Sequence, residues 1–399
     1  MISMTFNKLY PKFPFSLPML LDGATGTELF KAGMPSGICP EQWILENPKA
    51  IQDIQTRYFH AGSDAVLAPT FGANRAVLSR YGFADQTAEM NRALAALSRE
   101  IAGEKLVAGD ISPCGKLLSP IGDATLDELI SIYKEQASAL EDHVDFYMLE
   151  TNMDLSSARA AVLGVKAVSK KPIFVTMTVT ESGKTMYGDT PECALLTLSE
   201  LGITAFGLNC STGPREMKAL LAPIFTLSVS LGIPMIAKPN AGAPTKSGEH
   251  EHLDAKFFAD IGAEMLSNGI SILGGCCGTD STTIEKLHTM MTAFSDEIEK
   301  PNPMPTKNIA CTTREYTEIP ADNMPEPISV DDDLLENAEE MADDYDFLYL
   351  RLQTQEDVET VLESVPFFSS PLAVCGKKEI LDILIKNYCG KIVVIQDNV

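Results

Sequence analysis

Short apolar runs recur along residues 18–295, each followed by a patch rich in Gly, Pro or Asn and then by a segment with helical spacing. Eight runs read as strands: 18–23, 64–70, 106–112, 145–151, 173–179, 205–211, 234–240 and 271–277. They are continuous rather than alternating, as strands buried on both faces are. Between them, 87–103, 126–142, 191–202 and 215–232 repeat their apolar residues at helical spacing, and several of these segments end on Gly. Eight strand–helix units in under 300 residues predict an α/β fold, a (β/α)8 TIM barrel over 18–298. A doubly wound open sheet is the competing architecture. The barrel requires polar and reactive residues at the C-terminal ends of its strands, and each predicted strand runs into such a loop, among them "DGATGT", "TFGAN", "DISPCG", "ETNMD", "NCSTGP", "PNAGAP" and "GCCGT".

The pattern changes outside these limits. Residues 1–17 form an N-terminal extension whose prolines interrupt any apolar core, so no signal peptide is expected. Residues 299–330 are Pro-rich without periodicity and read as a linker or surface strap. Residues 331–346 carry nine carboxylates and no Lys or Arg. Leu334, Leu335, Ala338, Met341 and Ala342 nevertheless make one apolar helical face, and the leading aspartates suit a helix start through capping and the dipole. From 346 to 397 the pattern is βαβαβ, so 331–399 reads as a small acidic α/β extension.

Charge and cysteine usage narrow the function classes. A formal net charge of -24 argues against a grip on nucleic acid, which needs clustered Lys and Arg. No uncharged apolar run approaches the roughly 20 residues of a membrane span, so no membrane partner and a cytoplasmic location are expected. Nine scattered cysteines do not resemble a disulfide framework and bring thiol and metal chemistry forward.

Three cysteines stand at the tips of two strands: Cys210 in "GLNCSTGP", and Cys276 with Cys277 in "GGCCGTD". Neighbouring side chains of a regular strand point to opposite faces. Gly274, Gly275 and Gly278 are therefore expected to let the chain leave the extended conformation and turn both thiols inward. Three thiolates with one open position are the pattern of a catalytic rather than a structural zinc site. Cys39, Cys114, Cys193, Cys311, Cys375 and Cys389 lack such a context and read as core or surface thiols.

With these motifs in order, "LLDGATGTEL" (20–29), "APTFGAN" (68–74), "GLNCSTGP" (207–214), "PNAGAP" (239–244) and "GGCCGT" (274–279), the chain resembles the homocysteine S-methyltransferase family. It is most similar to the homocysteine-binding module of cobalamin-dependent methionine synthase. The resemblance implies a zinc ion on Cys210, Cys276 and Cys277, with the substrate thiol in the fourth place. It also implies that backbone amides around Ala24 and Thr25 hold the carboxylate of homocysteine while Asp22 and Glu150 face its ammonium. Asn209 and Asn240 are weaker candidates for the same site.

In that resemblance the methyl donor is methylcobalamin. The chain has no "DxHxxG" cobalamin-binding pattern, so a separate corrinoid protein would have to present it. Residues 365–397 faintly resemble the opening of a pterin-binding barrel but are too short to be one. The alternatives are a small donor such as S-methylmethionine or betaine, or a zinc-binding partner subunit without turnover.

Overall fold

The computed structural model describes residues 3–119, 121–242, 253–295 and 297–396. Ala243 and Pro244 of the "PNAGAP" loop, and the last predicted strand residue, Asp397, lie outside the described residues. The chain divides into two compact units, Met1–Met186 with Ile203–Asn302, and Tyr187–Gly202 with Pro303–Val399.

The first unit holds the eight-stranded parallel sheet. Its strands are β1 (Met19–Leu20), β2 (Ala65–Leu67), β3 (Leu106–Ile111), β4 (Phe146–Asn152), β5 (Ile173–Met177), β6 (Ala205–Asn209), β7 (Met235–Lys238) and β8 (Ile270–Leu273). Each lies within a run predicted from apolar content, give or take one residue. They pair in sequential order from β2 round to β8, and β8 pairs with β1. Between β1 and β2 no ladder forms, and side chains bridge the seam instead. Asp64 donates its N–H to Leu20 O at 2.8 Å and accepts the Leu20 N–H on Oδ2 at 2.8 Å. Asp22 Oδ2 accepts the Leu67 N–H at 2.8 Å. This is the (β/α)8 barrel that the pattern predicts.

The predicted helix 215–232 is instead broken into Pro214–Leu221, a 3-10 turn at Ala222–Ile224 and Phe225–Leu231. Pro223 has no N–H to continue the ladder and its ring crowds the preceding turn. The N-terminal extension is more than a leader to β1. Phe13 stacks on Phe174 at 5.6 Å and Phe15 lies 5.5 Å from Phe146, while Phe146 and Phe174 sit 4.5 Å apart near the starts of β4 and β5. This aromatic cluster closes the end of the barrel opposite the loops that carry chemistry. Phe174→Ala is expected to cost about 3–5 kcal/mol, the usual toll for deleting a fully buried ring, read from the urea midpoint at unchanged slope.

In the second unit, four parallel strands line up in the order Ile328–Ser329, Leu348–Leu352, Leu372–Gly376 and Val393–Val394. Period-two alternation sorts the faces. Leu348, Leu350, Leu352, Leu372 and Val374 join one core, while Phe347, Tyr349, Ala373 and Cys375 join another that includes Ala310. The stretch 299–330 is therefore not plain linker: an antiparallel hairpin, Ile309–Cys311 with Tyr316–Glu318, and the first strand of this sheet fall within it. Its apolar content is too short for periodicity to register. The acidic stretch forms the helix Leu334–Asp344, but its N-cap Asp333 makes no side-chain capping bond. The helix rests on its buried face, with Leu334 and Ala338 buried. Residues 187–202, which join β5 to β6 along the chain, belong to this second unit: Thr190 N–H donates to Thr313 O, and Cys311 Sγ lies 3.4 Å from Thr197 Oγ1.

Candidate functional site

Cys210 directly follows β6, and both it and Ser211 adopt left-handed backbone angles, with φ of 61° and 59°. Non-Gly residues are uncommon there, and such strain persists only where surrounding bonds fix it. Here Cys210 donates its N–H to Lys238 O at 3.1 Å and its carbonyl accepts from the Thr212 N–H at 2.7 Å. Beyond β8 the chain stays tied to β7, because Gly274 donates to Ala237 O and Cys276 to Pro239 O. It then turns sharply, with Thr279 donating both its N–H and its hydroxyl to Cys276 O. Of the three glycines expected to turn the thiols, Gly278 alone takes a positive φ, 80°. Gly275 serves a different need: a Cβ there would lie 2.2 Å from Thr279 Oγ1, so a side chain would displace the threonine that pins Cys276.

The outcome is that the sulfur atoms of Cys210, Cys276 and Cys277 all lie within 4.8 Å of one another, half-buried. Three sulfurs around a tetrahedral zinc at ~2.3 Å stand about 3.8 Å apart, so this donor set fits a soft divalent ion with one position left over. The electrostatics agree. Hydrogen bonds from the Cys276 and Cys277 thiols hold Cys210 far below the usual thiol range, and the same contacts push Cys276 well above it. Thiols packed this closely share one negative charge unless a cation joins them. The Asn240 side chain also donates to Cys210, and its buried Oδ1 has no partner.

The trio opens on a cavity of about 320 Å³ whose wall includes Ala24, Thr25, Asp110, Glu150 and Lys238. The structure distributes the expected substrate contacts unevenly. Ala24 and Thr25 line the cavity, but the Ala24 N–H is already donated to Thr279 Oγ1 at 3.1 Å. Glu150 lines it too, yet its Oε2 is ion-paired with Lys238 Nζ at 2.6 Å, and both side chains are buried. Asp22 is not among the lining residues. It stands behind them at the barrel seam, with burial pushing its carboxyl up to about 7 against the pull of Lys238. Asn209 is spent on scaffolding. Its Oδ1 accepts from Thr151 N–H and Thr176 Oγ1, both at 2.9 Å, and its Nδ2 donates to Thr151 Oγ1 at 2.8 Å. It thereby holds Thr151 at φ 63°, next to Glu150.

Sequence reasoning gave no role to Lys238, Asp110 or Thr279, although Asp110 is among the polar residues expected at the strand ends. For Lys238 a signal existed. A lone lysine ending the apolar run "PMIAK" would be buried on both faces of a barrel strand and so demands a carboxylate partner.

Among the described residues no disulfide joins any of the nine cysteines, and no helix is long and apolar enough to cross a membrane. The family model for homocysteine S-methyltransferase matches residues 19–291. Methionine synthase of Mycobacterium tuberculosis is 32% identical over 291 residues, 67% of this chain and 24% of that protein. Methionine synthase of Mycobacterium leprae is 31% identical over 300 residues, 70% of this chain and 24% of its own length. The chain thus spans 24% of the length of these curated relatives. The metallated form of the homocysteine methyltransferase MmuM from Escherichia coli superposes with a TM-score of 0.57 at 22% identity, covering 68% of this chain and 95% of MmuM, a likeness of fold. With the cysteine trio at the mouth of such a barrel and the family model matched across it, the chain belongs to the homocysteine S-methyltransferase family.

Proposed function

We propose that the protein is a zinc-dependent homocysteine S-methyltransferase that forms methionine in the cytoplasm, with Cys210, Cys276 and Cys277 as the zinc ligands. The observation that carries this reading is the convergence of three thiols from two strand tips on one cavity, in a chain of this family. When bound, zinc would supply a substrate sulfur already ionised at neutral pH, where a free thiol of pKa ~8.5 is only a few per cent thiolate. That gain is roughly thirtyfold, or about 2 kcal/mol, and it removes the need for a general base in the displacement.

Enzymatic accelerations start near 8 kcal/mol, so the chain's own residues must supply most of the remainder by orientation. Thr279 fixes the Cys276 carbonyl and Asn240 donates to Cys210, which together hold two of the three sulfurs in register. The loop around Ala24 and Thr25 would hold the substrate carboxylate, and Glu150 on the cavity wall, with Asp22 behind it, would face the ammonium; the lining of the cavity by Ala24, Thr25 and Glu150 supports this reading. The proposed methyl donor is methylcobalamin carried by a separate corrinoid protein, in keeping with the resemblance of the "DGATGTEL", "PNAGAP" and "GGCCGT" motifs.

The test is methionine formation from homocysteine by the zinc-loaded protein with four donors: methylcobalamin on a corrinoid protein, free methylcobalamin, S-methylmethionine and betaine. Product with the corrinoid protein is expected. Product with a small donor alone would reassign the donor, and zinc bound without product from any donor would overturn the enzyme reading in favour of a partner subunit.

A further inference from the structure

We propose that the Thr279 hydroxyl is a spacer: it ties the loop around Ala24 and Thr25 to the proposed zinc ligand Cys276, and so sets the length of thiol amino acid that the site accepts. The inference rests on the homocysteine reading above and names the positioning residue behind a selectivity for chain length.

A thiol amino acid held at both ends, sulfur on the metal and carboxylate on the loop, spans the distance between those two anchors. They follow different strands. The β1–β8 ladder pairs Met19 with Ile272 and Leu20 with Leu273, and so ends short of both loops. Beyond it, among the described residues, Gly275 donates its N–H to Asp22 O at 2.9 Å, Ala24 to Thr279 Oγ1 at 3.1 Å and Gly278 to Thr27 Oγ1 at 3.3 Å. The middle bond differs from its neighbours, because the same Thr279 oxygen donates onward to Cys276 O at 2.7 Å. One atom thus joins the substrate loop to a residue of the thiol trio. The Ala24 amide, spent in this bond, anchors the loop rather than meeting the substrate.

The surroundings leave that atom little freedom. Thr279 is fully buried. An amide can only donate and a carbonyl only accept, so the hydroxyl proton points to Cys276 and a lone pair to Ala24. On the far side, Asp280 caps the helix Ser281–Ala293 by accepting the Thr283 N–H at 3.1 Å, which fixes the backbone next to Thr279. On the other loop, the Tyr58 hydroxyl donates to Ala24 O at 2.7 Å, and its ring packs so closely that a Cβ on Gly23 would lie 2.8 Å from it. Both ends of the bridge are braced, and a bridge between braced ends has one length. A thiol shorter by one methylene cannot reach both anchors, and a fixed span rejects it by about 10- to 200-fold.

The experiment compares L-homocysteine with L-cysteine by calorimetry on the zinc-loaded full chain, with zinc content measured on the same samples. The two ligands carry the same thiol, ammonium and carboxylate and differ by one methylene. The wild-type protein is expected to favour homocysteine by about 10- to 200-fold. In Thr279→Val, which keeps the shape and loses both hydroxyl bonds, the preference should fall by about tenfold, the worth of one to two hydrogen bonds, while zinc stays bound. Thr279→Ala gives the same reading where valine disturbs the fold. Thr279→Ser keeps the hydroxyl and should keep the wild-type preference. A Thr279→Val protein that retains the preference, weakens both thiols by the same factor or loses its zinc overturns the spacer role, as does a serine variant that behaves like valine. A wild-type protein that binds the two thiols equally overturns it without any variant. A wild-type protein that takes up neither thiol overturns the homocysteine reading itself, which separates the two failures.

Discussion

On the proposed zinc site, Cys276→Ser is expected to strip the protein of zinc and to lower methionine formation by at least about a hundredfold, more than the usual effect of losing a residue that only supports a metal ligand. Three thiolates within 4.8 Å of one another leave little redundancy. With one replaced by a hydroxyl, the remaining pair presents a harder and less charged donor set to a soft ion. Cys210→Ser and Cys277→Ser should behave alike, whereas Cys389→Ser, far from the trio in sequence and outside the barrel unit, should keep its metal. Metal analysis of the purified variants reads the result directly. Full zinc content in Cys276→Ser would remove that residue from the ligand set.

The second large effect concerns Lys238, whose importance lies in folding as much as in chemistry. Lys238→Met should destabilise the protein by about 3–5 kcal/mol, because removing one member of a buried ion pair strands the other without water or counter-charge. Here the stranded group is Glu150, and Asp22 and Asp110 stand close enough to repel it. Adding Glu150→Gln should recover part of the loss, giving a favourable coupling in a double-mutant cycle followed by denaturant unfolding. A Lys238→Met protein within about 0.5 kcal/mol of wild type, the range of ordinary surface changes, would mean that the pair is solvated in solution.

These two sites were not equally legible in the sequence. The cysteines announced themselves because each sits at a strand tip, and a barrel sends all its strand tips to one mouth. The eight strands were legible for a related reason: parallel strands buried on both faces read as unbroken apolar runs. What the linear pattern does not carry is partner choice across the barrel. Glu150 and Lys238 lie 88 positions apart, and no local rule joins them. The same holds for Asn209, a polar residue beside a cysteine that looks like a substrate contact and instead braces Thr151. Ala24 lines the cavity, but its amide is taken by Thr279, 255 positions away. The hairpin at 309–318 escaped because three-residue strands are shorter than any window in which period two can be seen.

Residues 187–202 leave the barrel unit after β5 and return to it at β6, so the chain enters the second unit twice and the first unit twice. The two are interleaved like stitches rather than strung like beads. No single cut between 186 and 303 frees either one whole. A gene fragment ending near 298 would carry the helix Pro191–Glu200 without Cys311, whose sulfur lies against Thr197 and the Cys193 carbonyl. Recombination or truncation that treats this protein as a barrel plus a dispensable tail would therefore divide the second unit.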